Sequence, residues 1–554
     1  MDKDAQFSKL RSFFWPIHSN ELKKFIPMII IFFLITFNYH LLRILKDTLV
    51  ITQKHSGAEA IPFLKLWAIL PSAFFMTYFF TKLCNKFKKE YVFYIMSLFF
   101  IGFFVFYAVF LHPNCEALNL DAFADSMKEV LPSGAKGFIA IFRYWSSSIF
   151  YIMAESWSII MYSVILWGFA NDVTSVKEAR RFYALFGIGV NSAGILAGKF
   201  GELLTGFIQK INLEHKNILS IFGKTLWDQE LTIFIISMIL CTIIAMALYR
   251  YLHIKIINKE ILLKLKSISN SSSSEKKTSF KNPKIKMSLR KNISFVLRSR
   301  YLIYIAIIVL SYNIMINFTE VLWKSQLREL YPNKHDYTQY MSRVTFYIGL
   351  LATFASFFVS GNLIRKLGWK ITAIVTPVII IITGIFFFNF LFLKQYFYTT
   401  NAIIPILGMT PLALTVFFGS MQNILSRTSK YTVFDETKEM AFIPLSSENK
   451  MKGKSAIDGI GSRLGKSGGS LIMQILLVFF ASPVACAPII FAAMAFVIPV
   501  WIYAISNLST RFADFTNAKK DKTLGSTTPE VSTPEASTIK DKKSSKPEKI
   551  LETI

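Results

Sequence analysis

Charged side chains inside apolar helices are costly, and where a chain keeps them they face partners, cavities or cargo. Four apolar runs of this sequence carry such charges. Around the fourth run, Ser148, Tyr151, Glu155, Ser158 and Tyr162 recur at three- and four-residue steps, which puts them on one helix face. Glu155 stands near the middle, about 25 Å from either end at helical rise. A second stripe is Asn313, Asn317, Glu320 and Lys324. Its last two members are spaced i, i+4 in the favourable order, so an internal salt bridge competes with a functional role. In the first run Tyr39, Arg43 and Lys46 share a face, and Asp47 lies one turn past Arg43. Lys46 is far along that helix, so snorkelling to the interface is its alternative.

The most informative run reads Asp458-Gly-Ile-Gly-Ser-Arg463-Leu-Gly-Lys466-Ser-Gly-Gly-Ser470. Gly461, Gly465 and Gly469 recur at every fourth position and leave a groove where a neighbouring backbone or a ligand can approach. Arg463 and Lys466 are i, i+3 on one face, about 10–15 Å into the run. Like charges repel there with little screening, and an anion between them relieves the repulsion. A pocket with at least two fixed cations suits a multiply charged anion, with Glu155 and Glu320 balancing the charge or setting the coupling. These residues point to a carrier of an organic anion, a phosphorylated one above all.

Other chemistries find little support. Gly461-Ser-Arg-Leu-Gly465-Lys466-Ser467 has three residues between its glycines where a phosphate loop has four, and it follows no strand. The seven histidines form no metal spacing and no triad, and Cys84, Cys115, Cys241 and Cys486 are too scattered for a disulfide framework or a zinc site. An enzyme acting on a phosphorylated lipid would need an interfacial nucleophile or metal cluster. No cofactor is expected, and no enzymatic activity.

The elements that must position these charges follow from composition. Of 554 residues 53% are hydrophobic and only 17% charged, Phe alone occurs 54 times, and mean hydropathy is +0.44. That excludes a disordered chain and argues against a water-soluble enzyme. A membrane span needs about 20 mostly apolar residues. Twelve are expected, at 25–51, 59–82, 91–112, 138–170, 179–209 and 230–254, then 300–327, 340–364, 371–394, 400–426, 455–480 and 484–507. The run 138–170 exceeds one straight crossing and should be tilted, broken or preceded by an interfacial turn. The net charge of +28 lies in the polar start and in alternate loops, which is a membrane pattern and not a nucleic-acid surface. Examples are Lys86, Lys88 and Lys89; Lys177, Arg180 and Arg181; and Arg427 and Lys430. Both termini are then cytoplasmic. The organisation read from this is a segment 1–24, a six-helix half 25–254, a basic linker 255–299, a second half 300–507 and a disordered tail 508–554.

The halves repeat with one offset: Asn38-Tyr39 aligns with Asn317-Phe318, Lys86 with Arg365, and Leu185 and Gly189 with Leu464 and Gly468. The fourth and tenth spans do not hold this register. Parallel duplication of six spans is the architecture of major-facilitator-type carriers. The segment from Gly361 to Lys370 resembles that superfamily's loop between spans, with Arg365 at its acidic position. The fold class expected is an all-α polytopic membrane protein with 12 transmembrane helices in two major-facilitator-like halves.

Longer motifs carry a closer resemblance. Lys438-Glu-Met-Ala-Phe-Ile-Pro-Leu445 with Lys450-Met-Lys-Gly-Lys-Ser-Ala-Ile-Asp458 is similar to the signature of the ATP:ADP antiporter family of obligate intracellular bacteria and plastids. So are Ser56-Gly-Ala-Glu-Ala-Ile-Pro-Phe63, Trp167-Gly-Phe-Ala-Asn171, Arg181-Phe-Tyr-Ala-Leu-Phe-Gly187 and Glu320-Val-Leu-Trp-Lys324. The resemblance spans about residues 7–510. It implies exchange of external ATP for internal ADP across a bacterial inner membrane, with nucleotides and membrane lipid as partners and neither nucleic acid nor an obligate protein partner. The family's functional charges fall on Lys46, Glu155, Glu320 and Lys466; the residue pattern itself adds the expectation that Arg463 steers the phosphates and that Arg43, Asn317, Lys324 and Asp458 have supporting roles. Plastid-type members carry Leu-Arg-Asp before the first-helix lysine, where this chain has Leu42-Arg43-Ile44-Leu45. Some relatives import a wider set of nucleotides, exchange NAD, or run as proton symporters, and those alternatives stay open.

Overall fold

In lipid every backbone N–H and C=O must be satisfied internally, so apolar runs of this length become helices. The computed structural model describes residues 17–19, 21–174, 176–214, 218–257, 289–400, 408–446 and 462–524, with 449, 453, 454 and 457. Ten of its helices are long and apolar enough to cross a membrane. In the first half these are α1 (Leu22–Ile51), α2 (Ala60–Lys86), α3 (Lys89–Leu111), α4 (Trp145–Asn171), α5 (Arg181–Glu214) and α6 (Leu226–Ile256). In the second they are α7 (Arg300–Leu330), α8 (Lys334–Phe358), α9 (Asn362–Thr400) and α12 (Ala487–Asp514). The two remaining expected spans fall on α10 (Pro411–Ser429) and α11 (Ser462–Phe480). The molecule is an all-α polytopic membrane protein built as two six-helix halves of major-facilitator type.

Several boundaries differ from the sequence reading. The long run at 138–170 is broken at Tyr144, which has φ −105° and ψ 50° and separates a short helix Lys136–Arg143 from α4. Arg143 fastens this loop region by donating to Asp121 at 2.7 Å and to Asp125. Its hydrogen bond holds the Asp125 carboxyl below the usual carboxylate range. The tenth span was expected at 400–426, but α10 starts at Pro411 and continues through Lys430–Phe434 and Asp435–Ala441. Arg427 and Lys430, counted by charge as loop residues, therefore belong to the helix. Hydropathy could not place this boundary, because 401–409 are nearly as apolar as the helix itself. The last helix runs Ala487–Leu524, past the tail's expected start at 508. Most of the linker 255–299 lies outside the described residues, and its end forms a helix, Leu289–Arg298. In α9 the chain turns at Gly368, whose φ of +78° is a conformation that a side chain would strain.

Each half has its own apolar core. One is built on α1 and gathers Phe32, Phe93, Phe100, Trp157, Phe186 and Phe234; the other is built on α7 and gathers Trp323, Tyr337, Phe387, Phe434 and Trp501. The repeat-matched asparagines serve different neighbours: Asn38 donates to Met238 O and Thr242 Oγ1 on α6, both at 2.9 Å, whereas Asn317 donates to Ser470 Oγ on α11 at 3.0 Å. The halves meet where α5 lies on α8 and α2 lies on α11. Between α5 and α8 the approach is so close that a Cβ on Gly349 would stand 2.5 Å from Ile195 N, and one on Gly198 would stand 2.3 Å from Phe346 N. Small residues of this kind let membrane helices pack backbone to backbone. Between α2 and α11, Gln474 donates to Pro62 O at 2.9 Å and accepts from Trp67 at 3.0 Å.

Gly349→Ala should thus force α5 and α8 apart and cost about 1–3 kcal/mol. Gly102→Ala, where nothing lies within 4 Å, should be neutral or slightly stabilising. Thermal melting of the two variants in detergent checks the contrast, and equal behaviour would refute the close packing.

Candidate functional site

The site is assembled on α1. Lys46 is buried and does not snorkel: its Nζ is 2.7 Å from Glu155 Oε1 on α4, 3.5 Å from Asp47 Oδ1, and 3.9 Å above the centre of the Tyr151 ring. Tyr151 and Glu155 of the α4 stripe thus face α1. The last member of the stripe, Tyr162, stacks on Tyr39 of α1 with ring centres 5.6 Å apart and planes 9° from parallel. Glu155 opens a stretch that widens into π-helical turns at Ser158–Leu166, a departure often found at functional sites.

Asp47 turns the other way. Its Oδ2 is 2.7 Å from Lys324 Nζ on α7, and the two side chains are 1% and 2% exposed. Lys324 also meets Glu320 at 2.8 Å, the i, i+4 pair expected from the sequence. Glu320 in turn accepts from Arg427 of α10 at 2.8 Å. The result is one chain of alternating charge, Glu155–Lys46–Asp47–Lys324–Glu320–Arg427, running from the first half into the second. Close by, Thr48 and Thr338 join the halves through a 3.1 Å hydroxyl contact. Arg43 is buried on α1, with its Nη1 lacking a hydrogen-bond partner among the described residues, and it acts electrostatically on Glu320.

Asn317 sits at a crossing of three helices. It receives a 2.7 Å hydrogen bond from Lys65 of α2 on its Oδ1 and gives one to Ser470 of α11. The glycine groove of α11 lies against this face of α7: a Cβ on Gly465 would meet Asn313 Cβ at 3.0 Å, and one on Gly469 would meet Asn317 Nδ2 at 3.1 Å. Positions 463 and 466 belong to α11, but the side chains of Arg463 and Lys466 lie outside the described ones, and Asp458 lies outside the described residues altogether.

Lys46, Glu155, Glu320, Lys324, Asn317 and Arg43 are thus gathered at the seam of the halves. The sequence reading missed Arg427, placed in a loop by its charge, and Lys65, which is close to the start of its apolar run. It also gave no partner to Asp47, which forms a buried ion pair between the halves with Lys324. Among these side chains the cations Arg43, Lys46, Lys65, Lys324 and Arg427 outnumber the carboxylates Asp47, Glu155 and Glu320. A surplus of positive charge in a poorly solvated interior is stabilised by an anion. Among the described residues no cluster of His, Cys, Asp or Glu is placed to hold a metal ion, and the four cysteines are unpaired.

Comparison with known proteins agrees with this architecture. Residues 1–512 match the family model described as TLC ATP/ADP transporter. The chain is 40% identical over 520 residues to "ADP,ATP carrier protein 1" of Chlamydia trachomatis serovar D, covering 94% of each chain. It is 37% identical over 523 residues to the protein of the same name from Rickettsia bellii, covering 93% of this chain and 98% of that one. Among solved structures, a bacterial homologue of the iron transporter ferroportin in an inward-facing state aligns with a TM-score of 0.50 at 12% identity, over 91% of this chain and all of that one. That likeness concerns the fold alone.

The buried link between the halves makes a stability prediction. Lys324→Met takes from buried Asp47 its nearer cation, leaving it Lys46 at 3.5 Å, and takes one of two cations from Glu320, so it should cost about 3 kcal/mol. Adding Asp47→Asn should restore much of that loss, because the two residues act as one unit. A double-mutant cycle on thermal unfolding measures it, and additive losses would mean that the pair is not coupled.

Proposed function

Because the chain belongs to the TLC ATP/ADP transporter family, we propose that it exchanges external ATP for internal ADP across a bacterial inner membrane by alternating access. The observation that carries this reading is the surplus of buried or half-buried cations at the seam of the halves, where Arg43 and Lys65 join an ion-pair chain that is itself balanced. Residues 25–254 and 300–507 rock about that seam. Lys46 and Lys466 hold the phosphates from opposite halves, and Arg463 steers them. Glu155 and Glu320 neutralise Lys46 and Arg427 when no nucleotide is held. As phosphate oxygens arrive, each cation trades a carboxylate for a phosphate, so the exchange of partners costs little net electrostatic energy. No covalent bond is made or broken.

The same charges give a reason for one-for-one exchange. A nucleotide-free carrier would have to take its surplus positive charge through an occluded, water-poor intermediate, which is unfavourable. A bound nucleotide cancels that surplus, so loaded reorientation is favoured over unloaded return. Because ATP carries about one more negative charge than ADP, exchange should feel the membrane potential at about 2.3 kcal/mol per 100 mV. The orientation proposed, with both termini in the cytoplasm, follows from the basic loops.

Purified protein in liposomes tests the proposal. Uptake of labelled ATP should require ADP inside, slow when the interior is made negative, and survive collapse of the proton gradient. Uptake without preload but dependent on a proton gradient would replace exchange by symport. Stronger competition by NAD or by other nucleoside triphosphates than by ADP would redirect the substrate assignment.

A further inference from the structure

Every cation in the central ion-pair chain has a carboxylate at contact distance: Lys46 has Glu155, Lys324 has Asp47 and Glu320, and Arg427 has Glu320. Lys65 differs. Its hydrogen-bond partner among the described residues is the neutral amide oxygen of Asn317 at 2.7 Å. It nevertheless lies within the electrostatic field of Lys46, Lys324, Glu155 and Glu320. Its position is built as well. Lys65 lies on the π-helical stretch Leu64–Ile69, which interrupts α2 just after Pro62, and such widened turns recur at functional sites. The side chain is half-buried and reaches from the first half to α7 of the second. The amide that receives it donates to Ser470, one helical turn past position 466 on the glycine-grooved helix.

From this geometry we infer that Lys65 is a further substrate-binding residue, an ammonium held by Asn317 to receive the phosphate groups of a nucleoside di- or triphosphate. The inference rests on the nucleotide-exchange reading above. An ammonium has three N–H donors. One is given to Asn317, and the other two are available to phosphate oxygens. Because its partner is neutral, the charge of Lys65 is not offset by a contacting carboxylate, so an arriving anion need not displace one. Asn317 fixes the ammonium while contributing no charge that would repel phosphate. The expected consequence is selectivity by phosphate number, with di- and triphosphates gaining from Lys65 what a nucleoside cannot.

Equilibrium binding of ATP, ADP and adenosine to the full-length purified protein tests this with Lys65→Gln and Lys65→Arg. Glutamine can still donate to Asn317 but carries no charge. Lys65→Gln should weaken ATP by about tenfold or more, the worth of one charge-assisted contact. Adenosine should be left within about twofold, and Lys65→Arg should retain most of the ATP affinity. Wild-type-like ATP binding by Lys65→Gln would overturn the inference, as would an equal loss for ATP and adenosine, which would mark a structural role. Failure of the wild-type protein itself to bind ATP would defeat the nucleotide reading. Should the glutamine variant fail to fold, amine-specific labelling of wild-type Lys65 with trinitrobenzenesulfonate, read by mass spectrometry, decides the matter. Protection by ATP and not by adenosine supports the assignment, and labelling unchanged by ATP refutes it.

Discussion

The pairing of Asp47 with Lys324 is the constraint around which the rest is arranged. Neither side chain reaches water, and an unpaired charge at that depth would cost several kcal/mol. Each must therefore be brought within contact of the other, although they belong to different halves of the chain. That requirement fixes how α1 lies against α7. It also sets the roles of the neighbours: Lys46 and Glu320 flank the pair and extend it, and their outer partners Glu155 and Arg427 close the two ends. A buried ion pair need not add stability over a well-packed apolar one. Its value here is registration, because it admits one relative placement of the first helix of each half.

Within each half the arrangement recurs with the signs exchanged. In the first half a cation on the leading helix, Lys46, meets a carboxylate on the fourth, Glu155; in the second a carboxylate on the leading helix, Glu320, meets a cation on the fourth, Arg427. A duplicated scaffold thus carries opposite charges on corresponding helices, though not at the repeat's corresponding positions. These outer pairs lie inside one half each, so movement of the halves alone need not part them. Links between the halves, among them Asp47–Lys324, Thr48–Thr338, Lys65–Asn317, Gln474–Pro62, Arg328–Gln53 and His335–Glu230, must pivot or part when the halves move. The contact of α5 with α8 combines close glycine-lined backbone with side-chain links such as Arg343–Glu202 and Asn191–Ser356.

Much of this was legible in the sequence, because periodicity in an apolar run is a strong signal. The stripe reading put Tyr151, Glu155 and Tyr162 on one face, and all three meet α1; the spacing of Glu320 and Lys324 offered an ion pair as one alternative, and it forms. What escaped did so for identifiable reasons. Arg427 lies where the hydropathy of the tenth run declines, and a basic residue at such a place reads as a loop charge. Its burial depends on a helix that continues through polar residues to Ala441, and Glu320, from another helix, makes that tolerable. Lys65 was hidden by its place near the start of α2, where a lysine can reach the interface. The π-helical turn that directs it inward has no composition signature.

Burial also separates the carboxylates into two kinds, and with them two tasks. The Asp47 side chain is almost wholly enclosed and has cations on both sides, whereas Glu155 is about a third exposed in its side chain and shares Lys46 with Asp47. A group with water access and a partner that can be satisfied elsewhere can leave its cation at small cost; an enclosed group with two cations cannot. Asp47 is thus fitted to hold the halves in register throughout a cycle, and Glu155 to release Lys46 when a stronger anion arrives. The same division explains why Lys46 touches both. In the proposed cycle it stays tethered by Asp47 while its other contact is exchanged, so the cation proposed to meet the cargo is not lost from the structure when its resting partner departs.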